Sequence, residues 1–413
     1  MLSTLRAVTS LLVSTAFLMA SIGLLGTLIP LRGAEFGFSE TLLGALAWAY
    51  YAGFLVGTYT MPRLVRRVGH IRVFAFGTAC AAMVALLHAL AGWPWLWLLL
   101  RFAGGIVMVG LYTIIESWLN ARASAAQRGA IFAIYMTVNS GALAFAQPLL
   151  FIAGAPFVLF TVAALLALLA AIPVVLTHQP QPEVQEAPRL ALRRVREIAP
   201  TAAVGALLAG LALGAFFGLA PVYASQLGFD TVQIGTYMAS GILGGALLQW
   251  PIGYASDRID RRLMLALVGA AAFVLALAVA YVGDRPQPAM VLIFAYGGMA
   301  FAVYPMAVTH LVDYLEPREL LGASSSVYLL YGAGSAMGPL LAGIGMDRLG
   351  AQVLPHWFAL NGALLALYAG YRYHAYSREL VRDSKFHPLA ARTTATAPQA
   401  VHAQPPEEQT AGQ

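Results

Sequence analysis

Twelve stretches of about twenty mostly apolar residues, parted by short polar or Gly/Pro-containing breaks, run the length of this sequence. A helix needs ~20 such residues to cross the hydrocarbon core of a bilayer. The breaks place spans at 8–30, 41–61, 72–92, 95–118, 129–152, 154–176, 202–225, 232–254, 263–282, 288–311, 321–345 and 351–374. A membrane barrel would alternate polar and apolar residues in ~10-residue pieces, and the run Val162–Ile172 does not alternate. Composition agrees: 60% of the 413 residues are hydrophobic and 10% charged, against about 25% charged in a soluble domain. A soluble enzyme, a disordered chain and a fibre are excluded, because none can hide this much apolar surface from water. The first span follows Arg6 but continues to Pro30, too long for the apolar core of a cleaved signal peptide.

Basic residues concentrate in loops on the cytoplasmic side of membrane proteins. Of the 24 lysines and arginines, twenty fall on one side of the spans, Arg32, Arg285 and Arg348 on the other, and Arg101 inside a span. Both termini are therefore expected in the cytoplasm. Topology accounts for the net charge of +6, and no nucleic-acid partner is expected. A single cysteine, Cys80, excludes an intrachain disulfide. The chain has no phosphate-cradling G-x-x-x-x-G-K-[ST] motif and no metal-ligand spacing, so neither a cofactor nor an enzymatic activity is expected.

A constant offset of 191 residues maps Pro30 onto Pro221, Gly37-Phe38 onto Gly228-Phe229, Gly44 onto Gly235, Gly53 onto Gly244, and Pro148 onto Pro339. It reads as two parallel six-helix repeats, the organisation of a secondary transporter. The expected units are an N-terminal bundle over 1–177, a Pro- and Arg-rich cytoplasmic linker over 178–200, a C-terminal bundle over 201–376 and a disordered cytoplasmic tail over 377–413. Within the linker, Leu190–Ile198 is expected to form a short basic helix on the membrane surface.

The loop after the eighth span, Gly253-Tyr254-Ala255-Ser256-Asp257-Arg258-Ile259-Asp260-Arg261-Arg262, resembles the G-x-x-x-D-R-x-G-R-R signature of the major facilitator superfamily, with Asp260 in place of the second glycine. Its repeat copy, Pro62-Arg63-Leu64-Val65-Arg66-Arg67-Val68-Gly69, carries Arg66 where the acid belongs and Pro62 where the first glycine belongs. Together with Arg101-Phe102, Glu116-Ser117, Arg128-Gly129, Gln249-Trp250-Pro251-Ile252-Gly253 and Tyr304-Pro305, the chain resembles the YcaD-type branch of that superfamily from about Val8 to Tyr373. Gly334–Gly343 is similar to the superfamily's antiporter signature, but stands in the eleventh span instead of the fifth, so it carries no argument for efflux. The resemblance implies a bacterial inner-membrane protein with a central cavity lined by the first, fourth, seventh and tenth helices, working by alternating access.

A charge in the hydrocarbon core costs at least ~2.5–3.5 kcal/mol on insertion scales. Arg101 therefore reads either as a contact for an anionic substrate or coupling element, or as a donor to carbonyls of a neighbouring helix. Glu116 reads as a gating acid that pairs with Arg66, Arg67 or Arg128 and replaces the latch lost from the degenerate loop; a proton carrier is the second reading. By the motif match, Gly253, Asp257 and Arg258 gate the C-terminal half, with Asp313 as the counterpart of Glu116. Cavity candidates are Tyr112, Asn139, Gln147, Phe217, Tyr223, Gln249, Tyr304 and Tyr331, each of which could equally serve as interhelical glue. Trp93, Trp95, Trp97 and Trp357 are expected as interface anchors, and His88 and His310 as span-end residues. The expected function is secondary active transport of a small organic solute by a monomer, coupled to protons. Export of an amphipathic compound and import of a metabolite anion stay open, and a non-transporting receptor or scaffold on the same fold is the alternative.

Overall fold

The computed structural model describes residues 2–90, 92–122, 127–152, 156–176, 192–315 and 320–375, and the side chains of all of these except 2–7, 128, 156 and 320–324. Every expected span is helical. The N-terminal repeat comprises α1 (Leu2–Glu35), α2 (Glu40–Val68), α3 (His70–Leu90), α4 (Pro94–Arg122), α5 (Arg128–Phe145), a 3₁₀ turn (Gln147–Phe151), α6 (Pro156–Leu169) and α7 (Ala171–Val175). After α8 (Leu192–Ile198), the second repeat comprises α9 (Pro200–Gln226), α10 (Thr231–Ser256), α11 (Arg261–Val282), α12 (Pro286–Val312), α13 (Leu320–Leu349) and α14 (Val353–Ala375). Eleven helices among the described residues are long and apolar enough to cross a membrane. The eighth expected span, α10, is absent from those eleven; Gln233, Gln249 and five glycines dilute its hydropathy, although its 26 residues suffice in length.

Two spans differ from the continuous helices expected. The fifth ends at Phe145 and continues as the 3₁₀ turn, with Pro148 near its start. The sixth breaks at Ala170, four residues before Val174, because Pro173 offers no N–H and its ring would clash with the Leu169 carbonyl. Of the expected linker, residues 178–191 lie outside the described residues, as does the tail. The rest of it holds α8, which buries Val195 while Arg193, Arg194 and Arg196 stay exposed.

The repeat is visible atom by atom. α1 and α9 end in the same cap: Phe38 N bonds the Gly33 carbonyl at 3.0 Å and Phe229 N bonds the Ala224 carbonyl at 3.1 Å. That cap turns on Gly37 and Gly228, at φ +77° and +85°, a region an L side chain rarely adopts. Ser39 then caps α2 by accepting from Leu42 N, and Asp230 caps α10 by accepting from Gln233 N. α2 crosses α4 where a Cβ on Gly53 would lie 1.9 Å from the Phe102 carbonyl; α10 crosses α12 where one on Gly244 would lie 1.8 Å from the Phe294 carbonyl. Small residues at such crossings let backbones touch.

The two repeats meet reciprocally. A Cβ on Gly44 of α2 would lie 2.2 Å from the Pro339 carbonyl of α13, and one on Gly235 of α10 would lie 3.1 Å from the Gln147 carbonyl beside Pro148. At the same end of the bundle, where α1 turns into α2 and α13 into α14, Thr41 Oγ1 donates to Asp347 at 2.8 Å and Gln226 donates to Glu40. α9 and the second half of α12 are almost wholly buried. α3, α6, α11 and α14 expose large apolar side chains such as Phe76, Leu165, Val274 and Leu367, as lipid-facing helices do.

Candidate functional site

Behind the Thr41–Asp347 and Gln226–Glu40 contacts lie two adjoining clefts. The first runs between α1, α2, α4 and α9 and is lined by Ile29, Pro30, Leu46, Tyr51, Arg101 and Phe217 among others. The second lies between α2 and α13 and is lined by Tyr50, Tyr51, Phe54, Tyr328, Tyr331 and Ser335, with Leu55 and Gly332. Tyr51 belongs to both. The helices that line them are thus α1, α2, α4, α9 and α13. α12, the expected tenth-helix wall, lines neither and packs against α10, α11 and α9.

Arg101 stands where the clefts join. Its guanidinium carbon lies 4.4 Å from the centre of the Tyr50 ring, and Nε approaches the Leu46 carbonyl at 3.4 Å. Of the expected cavity residues, Arg101 and Phe217 reach the first cleft and Tyr331 the second. Tyr304 stands behind Tyr331, ring centres 4.5 Å apart. The others line neither cleft. Gln147 stitches α1 to α5, accepting from Thr27 at 2.8 Å and donating to the carbonyls of Gly23 and Leu143 at 3.1 and 3.2 Å. Tyr112 donates to Met19 Sδ at 3.2 Å. The Tyr223 hydroxyl lies against Gly283 at the end of α11, and Gln249 and Asn139 are buried. Tyr50, Tyr51, Phe54 and Ser335 were missed as a group. Their signal was the aromatic pair Tyr50/Phe54, one turn apart, facing Tyr328 and Tyr331 across a helix pair that no repeat count identifies.

At the opposite, arginine-rich end, the loop after α10 organises a buried ion network. Arg261 Nε donates to Asp313 at 2.8 Å, and its NH2 donates to Asp257 at 3.1 Å. Its NH1 also reaches Ser256 Oγ at 3.2 Å. One guanidinium thus ties the ends of α10 and α12 to the start of α11. Arg258, the other charged residue of the motif match, lies over the Tyr254 ring, 3.4 Å from its centre, and donates to that hydroxyl. Gly253 takes part through its carbonyl, which accepts from Asp257 N and Ser256 Oγ. Asp260 caps α11 and binds Arg262 Nε and NH2 at 3.2 and 2.9 Å. Burial pushes the Asp260 carboxyl up, but bonds from the Arg262 side chain and backbone hold it below the usual carboxylate range.

Glu116 is fully buried and accepts from the Tyr135 hydroxyl at 3.1 Å. Arg66 and Arg67 are exposed at the end of α2; the Arg128 side chain lies outside the described residues. Asp313 is not the repeat equivalent of Glu116. The α4 and α12 crossings register Gly105 with Gly297, an offset of 192 that sets Glu116 opposite Val308, more than a turn deeper than Asp313. Among the expected interface tryptophans, Trp93 and Trp95 are exposed, but Trp97 is wholly buried against Phe38 and His88, and Trp357 donates to the Leu211 carbonyl at 3.1 Å. His88 and His310 are buried as well. Among the described residues no cluster of three or more His, Cys, Asp or Glu could hold a metal.

A family model described as Major Facilitator Superfamily matches residues 11–301 and 202–402. The "Uncharacterized MFS-type transporter YcaD" of Escherichia coli O45:K1 (strain S88 / ExPEC) is 27% identical over 360 residues, covering 84% of this chain and 91% of that protein. The "Uncharacterized MFS-type transporter YE1530" of Yersinia enterocolitica serotype O:8 / biotype 1B is 27% identical over 354 residues with the same coverage. Among solved structures, the nucleoside transporter NupG (D323A mutant) superposes with a TM-score of 0.75 at 14% identity, covering 89% of this chain and 99% of that one. A bacterial homolog of the human lysosomal transporter Spinster, inward-facing and occupied, gives 0.70 at 15% identity, covering 91% and 97%.

Proposed function

Because the chain belongs to the major facilitator superfamily, we propose that its two repeats move a small organic solute across the bacterial inner membrane by alternating access, driven by protons. Membrane transport follows from the family; the mechanism rests on one observation. The repeats touch backbone to backbone through Gly44 against Pro339 and Gly235 against Gln147, and the clefts lie directly behind that seam. Parting the seam would open them to the side that carries the α1–α2 turn, which the arginine distribution makes the outer face. The Asp257–Arg261–Asp313 network sits at the other end and fits a role in setting the cytoplasmic closure of the C-terminal repeat. Glu116 would work with Arg128, Arg66 or Arg67 in the N-terminal one. The proton reading is supported by Glu116, a fully buried carboxyl on a helix that also lines the first cleft.

Flux into proteoliposomes, measured for a panel of organic anions, neutral solutes and lipophilic cations with and without a pH gradient, tests this. Solute accumulation that collapses with the gradient is expected. Absence of flux for every solute, with ligand binding that instead alters a partner protein, would replace it with the receptor reading.

A further inference from the structure

Two clefts of unlike chemistry share a wall, and a single guanidinium stands at their junction. The second cleft is lined by four tyrosines and a phenylalanine, a surface that suits the faces and edges of a flat ring. It carries no charged lining residue. Arg101 is the one charged side chain among those lining the first, and its position over the Tyr50 ring sets a guanidinium beside the aromatic slot. Ser335 adds a second polar point. Its side chain is 0% exposed, its Oγ has no hydrogen-bond partner, and it lines the aromatic cleft. A serine within a helix ordinarily bonds the carbonyl one turn back; this hydroxyl does not. The backbone there is fixed, since a Cβ on Gly210 or Gly214 of α9 would strike the Tyr331 carbonyl at 2.1 Å or the Ser335 carbonyl at 2.3 Å.

We propose that this junction is the substrate site and that its ligand is a small aromatic carboxylate, the carboxylate on Arg101, the ring between Tyr50 and Tyr331, and a ring hydroxyl or other polar substituent on Ser335. The proposal rests on the transporter reading and names the substrate class that it left open. One guanidinium matches one negative charge, which selects a monocarboxylate over a dianion. The ring selects against aliphatic acids, since a chain cannot stack. Amphipathic character and negative charge, which pull in different directions when residues are taken singly, meet in one molecule.

The experiment is ligand binding to the purified full-length protein in lipid nanodiscs, read by calorimetry, with benzoate, 4-hydroxybenzoate, benzamide, cyclohexanecarboxylate and tetraphenylphosphonium as probes. Benzoate is expected to bind at least about tenfold more tightly than benzamide, its uncharged isostere, and than cyclohexanecarboxylate, as a charge-assisted contact and a stacked ring each imply. 4-Hydroxybenzoate is expected to exceed benzoate several-fold in the natural protein and to lose that margin in Ser335→Ala, which keeps benzoate binding. Arg101→Gln is expected to lose about tenfold or more for both acids, with Arg101→Lys in between. The benzoate and benzamide comparison needs no variant, so a misfolded Arg101 substitution cannot mask the result. Equal binding of benzamide, or preference for the phosphonium, overturns the site. If no aromatic acid binds while another solute moves in proteoliposomes, the site falls and the transporter stands. If the acids bind as expected and no solute moves under any gradient, transport falls and the site stands.

Discussion

Arg261 shows what a single side chain holds together. It is 6% exposed, and Asp313, which it binds, is 0% exposed. Removing one partner of a buried pair leaves a charge without compensation, at a cost of about 3–5 kcal/mol. Arg261→Met is therefore expected to lower the thermal midpoint in detergent markedly, and Arg261→Met with Asp313→Leu to recover much of it; a double variant no better than the single one would show that the pair is not the source. Asp260 gives a pH test. Its carboxyl is held below the usual range in the folded state, so its contribution is complete above the ordinary aspartate value near 4 and fades as pH falls through the lowered one. The stability gap between the natural protein and Asp260→Asn should accordingly be flat from about pH 6 to 8 and close under stronger acid. These residues also mark how far the sequence could be read. The signature loop was legible as a motif, but which arginine meets which acid was not, because Arg258 and Arg261 lie three residues apart and only the start of α11 decides which turns inward.

At the scale of helices, the spans and their repeat were legible because twenty apolar residues have one solution in a bilayer and a shared offset of glycines is hard to obtain otherwise. Breaks inside spans were less so: Pro30, Pro221, Pro251, Pro305 and Pro339 all sit within continuous helices, while Pro148 and Pro173 coincide with interruptions. Neighbouring helices can satisfy the freed carbonyl in one place and not in another. Glycine tests the packing directly. Gly53→Ala or Gly244→Ala would drive a methyl into a carbonyl and should lower the yield and melting temperature of purified protein. Gly141, where a Cβ would meet nothing within 4 Å, should accept alanine with no loss or with a gain of about 0.5–1 kcal/mol.

For the molecule as a whole, the proposed alternating access requires the seam near α1–α2 to part. Thr41 and Asp347 touch across it, so in a background with Cys80 replaced, cysteines at 41 and 347 joined by a short bifunctional reagent should abolish flux, and a cleavable reagent should restore it on reduction. Flux that persists through complete cross-linking would place the moving parts elsewhere. The clefts behind the seam were only partly legible. Arg101 announced itself as a charge among apolar residues, whereas the tyrosines of α2 and α13 come from opposite repeats, and nothing in the local pattern says that they meet.

The seam is made of matched pieces with unmatched mechanics. On one side Gly44 bears on Pro339, within α13, a 30-residue rod without interruption; on the other, Gly235 bears on the short 3₁₀ turn that follows the end of α5. A rod transmits a push along its whole length, and a jointed segment absorbs it. Separation of the two repeats would then resemble a door with one stiff hinge and one soft one: the α2–α13 side carries the torque, and the α5–α10 side yields first.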